Sequence, residues 1–243
     1  MAKKYDENNG VFVMLDKKIQ DQALKKVDVG DVWGVGRRIQ AELYALNIMT
    51  AKDFRDFKNE KLIKKKFTKV GLQKKQELQG FPRFELQTIP DKKKAIMSSR
   101  SFGSAVKDLQ SLREAVANYA SAACEKLRQQ DSVCSSLTIY ARTSRFGSDK
   151  HYYGSHTHQM LVSTSDTRRV IKYAMQALDK LYRAGYVYKK ASVQLSGVCD
   201  RNQTQISLLD DYDSERAETL MKCMDAINKK YGPRTLYAAE CGT

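Results

Sequence analysis

The chain is poor in the residues that most often mark a special chemistry. Its 243 residues include three histidines, one tryptophan, three prolines and five cysteines. The cysteines (Cys124, Cys134, Cys199, Cys223 and Cys241) are odd in number, widely spread and form no C-x-x-C pair. That pattern argues against a disulfide framework and for a reducing, cytosolic compartment. His151, His156 and His158 fall close together, and His156-x-His158 could hold a transition metal. With no cysteine or second carboxylate at ligand spacing, a polar loop is the simpler reading. No apolar run approaches the roughly 20 residues that span a bilayer. The opening MAKKYDENNG lacks the apolar stretch of a signal peptide.

What the chain has in excess is positive charge. Lys and Arg number 43 against 28 Asp and Glu, a net +15. Residues 1–100 carry 23 basic and 13 acidic groups, residues 101–200 carry 14 and 8, and residues 201–243 carry 6 and 7. A basic body with a near-neutral tail suits a polyanion, either nucleic acid or an anionic membrane surface, set against a merely solvated basic face.

Periodicity divides the chain. VFVML (11–15) reads as a short strand with no neighbour nearby in sequence to pair with. Residues 17–80 read as helices. Val32, Ile39, Leu43 and Leu46 recur at helical spacing, Thr50-x-x-Asp53 resembles a capping box, and two basic stretches, 61–67 and 72–78, lead to Gly80. Residues 81–94, with two prolines and a lysine run, read as a linker. Beyond it come a strand at 95–103, a helix opened by Ser111-x-x-Glu114, strands at 135–144 and 158–164, a helix over 170–182 and a strand at 188–198. On the first helix Leu112, Val116, Tyr119, Ala120, Ala123 and Leu127 share one face. On the strand 135–144, Leu137, Ile139 and Ala141 alternate with Thr138, Tyr140 and Arg142. The fold class expected is α+β, a small all-α unit joined by the linker to a βαββαβ domain of ferredoxin-like type, with both helices on one sheet face and the other face free.

Two motifs carry functional weight. In VWGVGRR (32–38) the glycines allow close backbone approach to a phosphate, helix-start N–H groups point at the anion, and two arginines add charge. The third glycine of a dinucleotide fingerprint and the Gly-Lys-Ser/Thr of a P-loop are both absent. A helix-hairpin-helix that holds a DNA backbone competes here with a plain helix–helix turn. QISLLDDYD (205–213) reads either as an extended docking peptide whose leucines enter a partner's pocket or as a tail packed back on its own domain. Asp210, Asp211, Asp213 and Glu215 read as an exposed acidic tail, and Asp6-Glu7 as surface.

The stretches KKYDENNGVFVMLD, DVWGVGRRIQAELYALNIMTAKDF, SSRSFG, TSRF…YYG and the region from Gln205 onward together resemble the Y-family translesion DNA polymerases of the UmuC type, the subunit of DNA polymerase V. The resemblance covers essentially the whole chain. It implies a palm-strand remnant at 1–16, a helical thumb with the hairpin at 17–80, a linker at 81–94, a little-finger domain at 95–200 and a clamp-binding tail at 201–243. DNA contacts are then expected from Gly34, Val35, Gly36, Arg37 and Arg38 in the thumb. In the little finger they are expected from Ser98, Ser99, Arg100, Ser101, Arg142, Lys189 and Lys190. Gln205, Ile206, Leu208 and Leu209 are expected to bind the sliding clamp, the β subunit.

The same resemblance implies primer–template DNA, UmuD′ and the RecA filament as partners, no membrane, and a cytoplasmic, nucleoid-associated place in a bacterial SOS mutagenesis response. The family's acidic palm residues, which hold two Mg²⁺ ions, lie upstream of the residues present. The expectation is therefore a chain with no catalytic residues, no metal and no cofactor of its own, which grips DNA without extending it. The competing reading is a regulatory remnant that binds UmuD′, RecA or the clamp and competes with an intact polymerase.

Overall fold

The computed structural model describes residues 16–84, 91–146, 150–203 and 214–242. The strand expected at 11–15 and the peptide 205–209 lie outside the described residues. The chain divides into two compact units at Pro90/Asp91.

The described part of the first unit is helical. Helix α1 (Lys17–Lys26) begins at Asp16, whose carboxylate accepts the Lys18 N–H at 2.6 Å. A short 3-10 turn at Val29–Asp31 follows, then α2 (Arg37–Tyr44), α3 (Ala51–Asp56) and α4 (Glu60–Leu78). The capping box expected at Thr50 and Asp53 is formed in both directions, at 3.1 and 2.9 Å. α4 is broken at Thr68, whose φ of 63° lies in the left-handed region that β-branched residues avoid. Val29, Leu43, Ile48, Phe54, Ile63 and Phe67 close one core, with Val35, Ile39 and Leu46 packed against it. Each fully buried side chain of this size contributes about 1.5–3 kcal/mol.

The second unit is an antiparallel sheet backed by helices. Its elements are β1 (Ile96–Val106), α5 (Leu109–Gln129), β2 (Ser132–Thr143), β3 (Tyr153–Thr164), α6 (Thr167–Leu181) and β4 (Tyr188–Asp200). The βαββαβ order is as expected, and all six α5 positions assigned to the core are buried. The helix starts earlier than Ser111, because Asp108 is the cap and accepts the Ser111 N–H at 2.7 Å.

The sheet order is β1-β4-β2-β3. Two βαβ crossovers interleave, with β4 between β1 and β2, and β2 between β3 and β4. The central pair is therefore β2 and β4, whereas the ferredoxin arrangement centres its first and third strands. The β2–β3 hairpin turns outward rather than inward, which leaves β1 and β3 as edges. Leu137, Ile139, Ala141, Val193 and Leu195 face the helices in one core with Val116, Ala120, Ile171 and Leu178.

The C-terminal stretch is part of this unit rather than a separate tail. Helix α7 (Ser214–Tyr231) buries Ala217 and Met221. The Arg128 guanidinium, on α5, donates to both Asp225 oxygens at 2.7 Å. Cys241 is buried, and its carbonyl accepts from Asn118 Nδ2 at 2.7 Å. Among the described residues no helix is long and apolar enough to cross a membrane.

Candidate nucleic-acid interface

The hairpin is built by glycine geometry. Asp28 accepts the Gly30 N–H at 2.7 Å and is also bonded by Gln40 Nε2 and the Tyr44 hydroxyl, which draws the turn onto α2. Gly34 has φ +82°, a conformation that calls for glycine, and the Lys74 ammonium lies over the space where a Cβ would stand. Gly36 caps α2 in extended conformation, with no side-chain cap and open space where a Cβ would stand. The α2 first turn carries Arg37 and Arg38 and no acidic residue. Both arginines are exposed, with Arg38 Nε 3.4 Å from Glu42.

Two details differ from the expectation. The hairpin is entered from a 3-10 turn rather than an α-helix, because the Asp28 carboxylate folds the chain back at Gly30. Val35 donates its N–H to the Val32 carbonyl at 2.9 Å and packs on the core, so that N–H is already used inside the turn. Trp33, 87 % exposed, stands beside the hairpin with Lys74 Nζ 5.6 Å from its ring.

The second basic surface is the sheet face that the helices leave open. Strand pairing aligns its residues in rows. One row is Ser99, Ser192, Tyr140 and Ser155; the next is Ser101, Lys190, Arg142 and Tyr153; a third is Met97, Gln194, Thr138 and Thr157. Within this grid Thr138 and Thr157 bond through their hydroxyls at 2.9 Å, and the Tyr140 hydroxyl donates to Gln194 Oε1 at 3.2 Å. Met97, Tyr140, Arg142, Arg145, Tyr153 and Lys190 line a shallow cavity of about 290 Å³.

The seven residues expected to line this face divide between its two sides. Ser99, Ser101, Arg142 and Lys190 are on it. Ser98 and Arg100 pair with Val193 and Ala191, whose side chains are in the core, so both point to the helical side. There they border a cavity of about 200 Å³ with Asn118, Tyr119 and Arg234. Against β2, Lys189 is the extra residue of a bulge, since Lys190 pairs with Arg142 and Tyr188 with Thr143. Its ammonium donates to the Gly103 carbonyl at 3.0 Å. The reason is the two-residue period of a strand: neighbours cannot share a face. The sequence reading missed Tyr153, Ser155 and Ser192, which become visible once the register of β2 against β3 and β4 is known.

The remaining candidates form no chemical centre. His158 stacks on Tyr173 with ring centroids 4.4 Å apart. Among the described residues no three of His, Cys, Asp and Glu come together as a metal site. The residues Gln205, Ile206, Leu208 and Leu209 lie outside the described part. Just before them in sequence, Arg201 forms ion pairs with Glu218 at 2.7 Å and Asp131 at 3.1 Å.

Residues 93–208 match the impB/mucB/samB family C-terminal domain. The match spans just under half of the chain. It is 38 % identical to protein UmuC of Salmonella typhimurium over 99 % of this chain and 58 % of that protein. It is 33 % identical to protein SamB of Salmonella typhimurium, over 93 % of this chain and 54 % of SamB. DNA polymerase IV of Clostridium acetobutylicum is 25 % identical over 97 % of this chain and 58 % of that protein. The chain thus spans somewhat more than half the length of these relatives. The matched impB/mucB/samB stretch contains the whole sheet with α5 and α6, and α7 lies just past it.

Proposed function

We propose that this chain is the DNA-holding part of a UmuC-type translesion polymerase, with unit one as thumb and the sheet unit as little finger. The observation that carries the reading is the open sheet face, where Arg142 and Lys190 stand side by side among serines and threonines with no acidic residue in the three rows. Hydroxyls, guanidinium and ammonium in that pattern fit phosphate oxygens, and such contacts position a duplex without reading its bases. The hairpin adds a second grip, through Gly34, Gly36 and the N–H groups at the start of α2, with Arg37 and Arg38 supplying charge. The described residues hold and orient primer–template; two-metal chemistry belongs to acidic palm residues that the relatives' family carries elsewhere.

The account predicts binding to a primer–template with Kd of order 10⁻⁴ to 10⁻⁶ M at physiological salt, indifferent to sequence. Fluorescence anisotropy from 50 to 200 mM salt should show affinity falling steeply. Salt-independent binding, or none at 50 mM, overturns the reading.

Docking on the sliding clamp is assigned to Gln205, Ile206, Leu208 and Leu209. Replacing both leucines by alanine should abolish capture by the clamp and leave DNA affinity intact. UmuD′ and the RecA filament remain the further partners that the resemblance supports.

A further inference from the structure

The open face carries more than a backbone grip needs. Phosphates call for charge and hydroxyls, yet two aromatic rings stand among the cations. Tyr153 is 65 % exposed, and its ring centroid lies 6.5 Å from that of Tyr140, the planes inclined by 31°. The Tyr140 hydroxyl is tied to Gln194 in the same face, which fixes its ring. Arg142 is the direct cross-strand neighbour of Tyr153, and Lys190 of Arg142, so two cations and a ring stand in succession along one row, with Tyr140 in the next. A paired duplex shows phosphates and base edges but keeps its base faces stacked. Only an unpaired strand can offer a π-face to each ring while its phosphates meet the neighbouring cations. Four-stranded sheets that present aromatics on an open face take single strands in this manner. The bland alternative is a cross-strand tyrosine pair that stabilises the sheet and nothing else.

We propose that Tyr153 and Tyr140 stack the bases of an unpaired DNA strand on this face, with Arg142 and Lys190 holding the flanking phosphates. The inference rests on the DNA-holding reading and adds to it a preference for unpaired over paired template.

The test uses the full chain and two strands of equal length and charge, one of mixed bases and one of abasic sites. The normal chain should bind the abasic strand about tenfold more weakly, the size expected when base stacking is lost. Tyr153→Leu should weaken binding of the base-bearing strand by a similar factor and leave the abasic strand unchanged, whereas Tyr153→Phe should behave as the normal chain. Lys190→Gln should weaken both strands alike. Equal affinity for the two strands, or a Tyr153→Leu chain that binds bases as before, overturns the stacking inference while leaving the backbone grip standing. If neither strand nor a duplex binds, the DNA-holding reading itself fails. Thermal melting of Tyr153→Leu separates the bland alternative, which predicts a lowered midpoint with unchanged strand preference.

Discussion

The hairpin of the first unit and the open sheet face of the second both present paired cations, yet they are made by opposite means. The hairpin works through backbone. Gly34 and Gly36 remove side chains, and the start of α2 is left without a side-chain cap. The sheet face works through side chains, gathered from strands as far apart in sequence as Ser101 and Lys190. A backbone site should fail when a Cβ intrudes even with its flanking arginines in place. A side-chain site should fail only when its own cations and hydroxyls are removed. The predictions below try to break that contrast, beginning with the largest effect.

The sheet face exists only if alternate residues of β2 face opposite ways. Leu137 is fully buried, so Leu137→Ala should cost about 2–5 kcal/mol of unfolding free energy. The hydroxyl of its neighbour Thr138 bonds that of Thr157 across the open face, and Thr138→Ala should cost about 1 kcal/mol. Urea denaturation of the two variants measures this, and equal costs would contradict the alternation.

Helix α7 is tied to α5 behind the sheet through Arg128 and Asp225. Asp225→Ala leaves the buried Arg128 guanidinium without its bidentate partner and should cost about 3 kcal/mol in the same assay. A neutral result would return residues 214–231 to the status of a loose tail.

At the hairpin the contrast can be read within two residues. Gly34→Ala forces a side chain into a left-handed φ of +82°, with a cost of about 1–2 kcal/mol. Gly36→Ala has open space and ordinary backbone angles and should cost at most about 1 kcal/mol as a poorer cap. If Gly36 lies against a phosphate, its alanine variant loses duplex affinity by more than its stability change explains. Unchanged affinity would remove Gly36 from the interface.

The smallest effect concerns pH and the covered side of β3. Burial against Tyr173, then the charges of Lys180 and His156, hold the His158 pKa below the usual histidine value. The folded chain thus takes up this proton less readily than the unfolded chain. The contribution to stability is complete above the unfolded value of about 6.5 and is lost as pH falls below it. The melting temperature should therefore fall more between pH 7 and pH 5.5 in the normal chain than in His158→Gln.

Much of this was legible in the sequence, and where it was not, the reason is physical. The βαββαβ order followed from local periods of 2 and 3.6, and the α5 core face from Leu112 to Leu127 was correct throughout. Strand order was not legible, because pairing β4 between β1 and β2 depends on contacts nearly 100 residues apart, such as Ile96 with Leu195. The turn at Gly34 was legible because a glycine's role is local. The facing of the strand residues was not: SSRS and the Lys189-Lys190 pair read as blocks, while the pleat sends Ser98 and Arg100 to one side and Ser99 and Ser101 to the other. A bulge at Lys189 then removed one lysine from the face. Tyr153 carried no local signal and needed its register against Arg142 to be placed.

The central claim is that two surfaces of different construction share one DNA. The most direct measurement is the salt dependence of primer–template binding for three chains: the normal one, Arg142→Gln with Lys190→Gln, and Arg37→Gln with Arg38→Gln. Each lost phosphate contact should flatten the slope of log K against log salt by about 0.9, so each double variant should lose up to about 1.8. Slopes reduced in both variants support two grips on one backbone. A slope unchanged from the normal chain in either variant would contradict the claim for that surface.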